Sequence, residues 1–186
     1  MIRKTLSLIG AVFTYAKIGW WGLVMPRVRK NLVVAQAIVQ GEEGILLAVR
    51  SDLRGWELSG GSVEEGETPE AAVCREVWEE TGIEVEVDRF IGDYVRTGFR
   101  PHTAKVFLCH QTGGKLSTNW ETLDLRWFHL DAMPDTLFPW FHEPLADAFG
   151  DQSRLPVSKQ NDQGIATILE AIRIDLAMRM TNNGVG

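Results

Sequence analysis

Between Gly61 and Glu86 the chain carries nine acidic residues and one basic residue, Arg75. A solvated helix face is the usual source of such a run, but the spacing here is more specific. Glu76, Glu79 and Glu80 stand at i, i+3 and i+4, which at about 100° per residue sets three carboxylates on one helix face. Ala71, Cys74, Val77 and Trp78 fall on the other side and form the expected buried stripe. Like charges at helical spacing repel one another. A hard divalent cation is the simplest compensation, because Mg²⁺ prefers carboxylate oxygens. The helix ends are also written into the sequence. Thr68 suits the N-cap, Pro69 the first helical position and Glu70 the positive end of the dipole. Gly82 suits the left-handed position after the last turn, and Gly60 and Gly61 permit a tight loop before the first.

Gly61, Glu67, Arg75, Glu76, Val77, Glu79, Glu80, Gly82 and Ile83 fill every fixed position of the pattern G-x5-E-x7-R-E-U-x-E-E-x-G-U, with U a bulky aliphatic residue. The stretch therefore resembles the Nudix box. Nine specified positions make the match specific, over about an eighth of the chain. The resemblance implies a fold of the α/β (α+β) class, an α/β/α sandwich with a mixed sheet. It implies Mg²⁺- or Mn²⁺-dependent hydrolysis of the diphosphate linkage in a nucleoside diphosphate derivative. Carried over, Glu76, Glu79 and Glu80 are metal ligands and catalytic groups. Glu67 pairs with Arg75 to fix the loop against the helix, and Gly61 and Gly82 are structural. In the family the general base is a box glutamate or one in a later loop; Glu121 lies in such a loop and joins the catalytic candidates. The family usually has Pro before the two glycines, where this chain has Ser59. Marks that separate the family's subgroups are not matched. Two alternatives remain: a non-catalytic nucleotide-binding module, which usually lacks box glutamates that are all present here, and an isoprenoid diphosphate isomerase. The isomerase needs a catalytic cysteine in a strand loop, whereas Cys109 lies in a strand pattern.

Arg50, Arg54, Arg96 and Arg100 are the candidates for gripping phosphate, since a guanidinium matches phosphate oxygens bidentately; the plainer reading of each is a surface charge. Trp56, Phe99 and Trp120 are candidates for stacking on a base, with core packing the plainer role for Trp56. The four histidines have no ligand spacing.

A chain of 186 residues predicts one domain with additions. Its two cysteines, Cys74 and Cys109, read as buried reduced thiols, which favours a reducing, cytoplasmic setting. Residues 1–30 hold six basic residues and no acid, leaving thirteen of the nineteen basic residues to face all twenty-five acidic ones. That acidic body argues against general nucleic-acid binding.

Three domains of sequence follow: 1–30 a basic amphipathic arm, 31–150 the Nudix-like domain, and 151–186 a linker and C-terminal amphipathic helix. The arm has three competing readings: a secretory signal, a membrane span interrupted by Lys17, and an amphipathic helix. The favoured reading is packing on protein, within the chain or in a homodimer, with peripheral membrane contact next. Strands are expected over Leu32–Val39, Ile45–Arg50, Glu84–Arg96, Thr103–His110 and Leu123–Leu130, and a helix over Pro139–Phe149. The polar run from Gly150 to Gly164 reads as the linker. Ile165, Leu169, Ile172, Leu176 and Met180 then read as the apolar stripe of the last helix.

Overall fold

Runs of Val, Ile, Leu and Ala build the central strands of this computed structural model, which describes residues 12, 15, 16, 32–98, 101–150 and 155–181. Strand β1 (Val33–Gly41) turns through Glu42 and Glu43 into its antiparallel partner β2 (Gly44–Arg50). Short strands β3 (Trp56–Glu57) and β4 (Gly60–Ser62) precede helix α1 (Pro69–Thr81). The long hairpin of β5 (Ile83–Gly98) and β6 (His102–Gly114) follows, then β7 (Thr122–Phe128). A 3₁₀ turn at Pro139–Phe141 leads into α2 (His142–Phe149), and β8 (Val157–Gln163) and α3 (Ile165–Met180) complete the described elements. The eight strands form one mixed sheet in the order β3-β2-β1-β6-β5-β8, with β4 paired to β1 and β7 to β2.

Side-chain alternation splits the core between the two faces of this sheet. Ala35, Ala37, Val39 and Leu46 face α1 and pack with Ala72, Val73 and Val77. Ile38, Ile45, Leu47 and Val49 face the other way and meet Phe138, Phe141, Leu145, Ala171 and Ile174. Burying each such aliphatic or aromatic side chain contributes roughly 1.5–3 kcal/mol. The result is the α/β/α sandwich, in which α1 is the one helix among the described residues on the face that carries the acidic run.

The ends of α1 follow the sequence closely. Thr68 accepts the Ala71 N–H at 3.2 Å, Pro69 opens the helix, and Gly82 adopts φ 72°. Its buried stripe differs from the expected one. Ala72, Val73 and Val77 are inside with Thr81, whereas Ala71 is exposed and Trp78 is 59% exposed. The helix is rotated so that Glu80, not Trp78, turns toward the sheet. Cys109 is buried, Cys74 is half-buried, and both are free.

Two further expectations are corrected. The run read as a linker contains β8, which adds to the edge of β5 in parallel, from Gly92 opposite Val157 to Gly98 opposite Gln163. Backbone pairing needs no apolar pattern, so the polar sequence VSKQNDQ concealed it. In α3 the buried residues are Ala171, Ile174 and Met178 with Asp175 and Arg179, while Ile165, Leu169 and Met180 are exposed. The face turned inward carries a neutralised ion pair. Arg179 Nε donates to Asp175 Oδ2 at 2.7 Å, and the Arg54 backbone N–H donates to Asp175 Oδ1 at 2.6 Å. Pro144 is the third residue of α2, in the first turn where no backbone donor is lost.

The arm of residues 1–30 lies outside the described residues apart from Val12, Tyr15 and Ala16. Tyr15 donates its hydroxyl to Asp175 and packs against the core cluster that holds Ile174. Among the described residues no helix is long and apolar enough to cross a membrane.

Candidate active site

The site is built where β4 passes the acidic face of α1. Ser59 anchors the approach by accepting the Ala37 N–H at 2.9 Å. Gly60 follows at φ 152°, where a Cβ would lie 2.2 Å from the Ala35 carbonyl oxygen. At Gly61 a Cβ would lie 2.3 Å from Glu76 Oε1 and 2.4 Å from Oε2. The first fixed glycine of the motif is thus the cradle in which the Glu76 carboxylate rests.

Arg75 laces the loop to the helix. It donates to both Glu67 oxygens at 2.9 Å, from Nε and Nη2, and Nη2 also reaches the Ser62 carbonyl at 3.2 Å. The Glu64 N–H adds a third donor to Glu67 at 3.1 Å. These bonds, with the Arg75 guanidinium foremost, hold the Glu67 carboxyl below its usual range. Arg75 also donates from Nη1 to Glu76 at 2.9 Å and Glu79 at 3.3 Å, contacts that its pairing with Glu67 did not foretell. Arg75→Ala is therefore expected to lower the melting temperature and the activity together. Thermal melts beside rate measurements check this; a variant that melts like the wild type yet fails to bind substrate would place Arg75 on the ligand instead.

The three carboxylates occupy different environments. Glu79 is about half exposed. Glu76 is raised above the usual range by burial, with Arg75 opposing the shift. Glu80 is 7% exposed, and burial pushes it up to about 7. Charges on Glu76 and Glu121 add to that shift; the Gly60 N–H, which donates to Glu80 Oε2 at 3.1 Å, and Arg50 at 3.6 Å oppose it. Arg50 in turn meets Asp52 at 3.1 Å and Glu57 at 3.5 Å.

Glu121 is brought to this cluster by a residue that sequence reading missed. Asn119 Oδ1 accepts the Glu121 and Thr122 N–H groups at 2.8 Å, and its Nδ2 donates to the Glu79 carbonyl at 2.9 Å. The Ser51 N–H donates to the Glu121 carbonyl at 2.8 Å, tying the same loop to the end of β2. The available signal was an Asn two residues before the acid, a spacing suited to side-chain capping of a turn.

A cavity of about 290 Å³ borders Gly60 and Gly61, with Arg50, Glu57, Gln36, Arg96 and Trp140 in its lining. The phosphate candidates therefore separate. Arg50 stands between cavity and carboxylates. Arg96 is buried in the cavity wall, bonded to Gln36 Oε1 at 3.1 Å and the Trp140 carbonyl at 3.4 Å, with Phe141 under its guanidinium. Arg54 does not line the cavity; its backbone is tied to α3 through Asp175. Arg100 and Phe99 lie outside the described residues. Trp56 is a core residue, edge-on to Phe128 at 4.8 Å, and Trp120 is 80% exposed beside Glu121.

The donor chemistry around Gly61 fits a hard cation: carboxylate oxygens, two of them on acids whose burial resists ionisation, so that added positive charge would relieve the cluster. The side chains are not drawn together around a point. Among the described residues, no three His, Cys, Asp or Glu side chains are placed to hold a metal between them. Arg75 supplies the positive charge that Glu76 and Glu79 share in this arrangement.

Residues 30–149 match the family model described as the NUDIX domain. A MutT-like protein of Streptomyces ambofaciens is 43% identical over 117 residues, covering 62% of this chain and 75% of that protein. An NAD-capped RNA hydrolase, NudC, of Vibrio atlanticus is 35% identical over 113 residues, covering 59% of this chain but 40% of that protein. Among solved structures, an ADP-ribose pyrophosphatase from Streptococcus suis is similar with a TM-score of 0.57 and 25% identity, covering 71% of this chain and all of that one.

Proposed function

The chain belongs to the NUDIX domain family, and from that premise we propose that it is a hydrolase that cleaves the diphosphate linkage of a nucleoside diphosphate derivative, with Mg²⁺ or Mn²⁺ held by Glu76, Glu79 and Glu80. The observation that carries the reading is the meeting at Gly60–Gly61 of a carboxylate cluster and a cavity. The relatives named for ADP-ribose and NAD-capped RNA support it, since each acts on a diphosphate that joins a nucleoside to a further group.

Each of the chain's own groups has a task in this reading. The cavity takes the nucleoside side of the substrate, which leaves the diphosphate at the glycine loop. Gly61 keeps Glu76 close to that loop, and Arg75 sets its angle. Arg50, linked to Glu80 and lining the cavity, faces the phosphate charge. Glu121, fixed by Asn119, takes the proton of the attacking water. The divalent cation, when bound, neutralises phosphate charge and lowers the pKa of a water. The module and isomerase alternatives lose ground because all box glutamates are present and Cys109 is buried in β6 with its thiol raised.

The test is turnover on a panel of nucleoside diphosphate derivatives and isopentenyl diphosphate, with phosphate products identified. Release of a nucleoside monophosphate in Mg²⁺ is expected; an isomerised product, or binding without turnover, would replace the reading. In the same assay Glu121→Gln is expected to lower kcat by about 10²-fold or more with little change in KM, because proton transfer matters in the transition state. Equal turnover would return Glu121 to the role of a solvated loop acid.

A further inference from the structure

Strand β8 lies outside the residues that match the NUDIX domain, and it ends in the cavity. Its docking is built with care along β5. The pairing begins at Gly92, where a Cβ would lie 2.3 Å from the Val157 carbonyl oxygen. It ends at Gly98, φ 80°, where a Cβ would lie 2.5 Å from the Gln163 carbonyl oxygen. Side chains hold the strand between these points: Thr97 Oγ1 donates to Asp162 at 3.1 Å, Asn161 Nδ2 to Glu143 at 2.6 Å, and Lys159 Nζ to Asp147 at 2.8 Å. Every second residue of β8 turns inward, and the last of these is Gln163.

Gln163 is 5% exposed and lines the same cavity as Gln36, Arg96 and Trp140. Its amide nitrogen is fully buried and has no hydrogen-bond partner among the described residues. A buried amide donor without an acceptor is a standing penalty that native proteins seldom keep without a use. Gln36 Oε1 and the Trp140 carbonyl, acceptors on the same cavity wall, each accept from Arg96, and neither is bonded by Gln163. The Gln163 side chain lines the cavity, so a turn of its terminal amide about the last side-chain torsion would present this N–H to an acceptor carried by a ligand there.

We propose that Gln163 determines specificity, donating its side-chain N–H to an acceptor atom on the substrate's nucleobase, and that the β8 extension thereby completes the nucleoside pocket. The acceptor is a ring nitrogen or an exocyclic carbonyl. A site built to bond such an atom discriminates against a base that presents a donor there, because the mismatch leaves two donors facing each other in a buried place. This inference rests on the reading of the cavity as the nucleotide site, and it assigns the base-reading role to a residue beyond the catalytic motif.

The experiment compares wild type, Gln163→Leu and Gln163→Glu on four nucleoside diphosphate sugars that differ only in the base. Calorimetric binding of the four nucleoside 5′-monophosphates runs alongside. Wild type is expected to prefer one or two bases. Gln163→Leu should flatten that preference by about tenfold or more, mainly through KM. Gln163→Glu, which is nearly isosteric and converts the donor to acceptors, should move the preference toward a base with an amino group at that edge. If Gln163→Leu does not fold, the Gln163→Glu comparison decides alone. A wild type without base preference, or folded variants with the wild-type order of bases, would overturn the assignment. Loss of the hydrolytic reading shows separately, as nucleotide binding by wild type without turnover, and the binding order still tests Gln163.

Discussion

Replacing Glu80 by Gln is expected to make the metal-free protein more stable at pH 8 while lowering its hydrolytic rate by about two to three orders of magnitude. Glu80 is 7% exposed and titrates at about 7, against an ordinary value of 4.5, chiefly because burial disfavours its charge. A carboxyl raised on folding binds its proton more tightly in the native state. Its contribution to stability is thus fully present below pH 4.5 and is lost as the pH rises through about 7. At pH 8 the native protein carries a buried charge that Gln lacks. Gln can still accept the Gly60 N–H, and only the 3.6 Å contact with Arg50 is weakened. At roughly 1.4 kcal/mol per pH unit the gain is of order 2–3 kcal/mol, or several degrees in melting temperature for a chain of this size. Melting curves of both proteins without metal at pH 4.5, 6 and 8 should show the gap opening with pH. Adding Mg²⁺ at pH 8 should raise the wild-type melting temperature and shift the variant much less. A metal-free Glu80→Gln protein that melts below wild type at pH 8 would refute the cost of the buried charge, and full turnover in Mg²⁺ would remove Glu80 from the metal-binding role.

That trade between stability and function marks the part of the molecule that local sequence rules described well. The caps of α1 could be read because each is a local effect: a Thr hydroxyl on the Ala71 N–H, a Pro with no donor to lose, a Gly at φ 72°. The alternating and continuous apolar runs of β1, β2 and β6 could be read because burial on the sheet leaves a pattern. What escaped depends on partners distant in sequence. Trp78 sits at helical spacing with Ala71 and Cys74, yet the sheet meets α1 along Ala72, Val73 and Val77 and leaves Trp78 outside. The stripe of α3 is misplaced by one residue step because Asp175 and Arg179 neutralise each other and satisfy the Arg54 N–H, so charged residues occupy inward positions. Strand β8 shows no apolar period because its hold on β5 is backbone pairing, two glycines and polar cross-links. Arg96 reads as a surface charge, but Gln36, the Trp140 carbonyl and the Phe141 ring provide the partners that let its guanidinium be buried. Asn119 went unnoticed because its worth lies in joining the Glu121 turn to the last turn of α1.

The second large effect separates two adjacent glycines that look interchangeable in sequence. Gly60→Ala is expected to damage the fold. Its φ of 152° suits glycine alone, and the new Cβ would meet backbone, the Ala35 carbonyl oxygen at 2.2 Å and Gln36 Cα at 2.7 Å. Strain of this kind costs about 1–3 kcal/mol before any clash with β1 is counted. Gly61→Ala is expected to leave the fold nearly intact and still lose about 10²-fold or more in activity. The three atoms nearest its Cβ would all belong to the end of a flexible side chain, with the Glu76 carboxyl carbon at 2.3 Å. Glu76 can rotate away at small cost to stability, but in doing so it leaves Arg75 Nη1, which donates to it at 2.9 Å, and the position from which it serves the site. If both changes act through that one carboxylate, adding Gly61→Ala to Glu76→Gln should lower activity little further, since groups that work as a unit are not additive. Melting temperatures of the two alanine variants and a double-mutant cycle in kcat/KM measure this. A Gly61→Ala enzyme with wild-type turnover, or full additivity with Glu76→Gln, would show that the cradle around Glu76 has no part in catalysis.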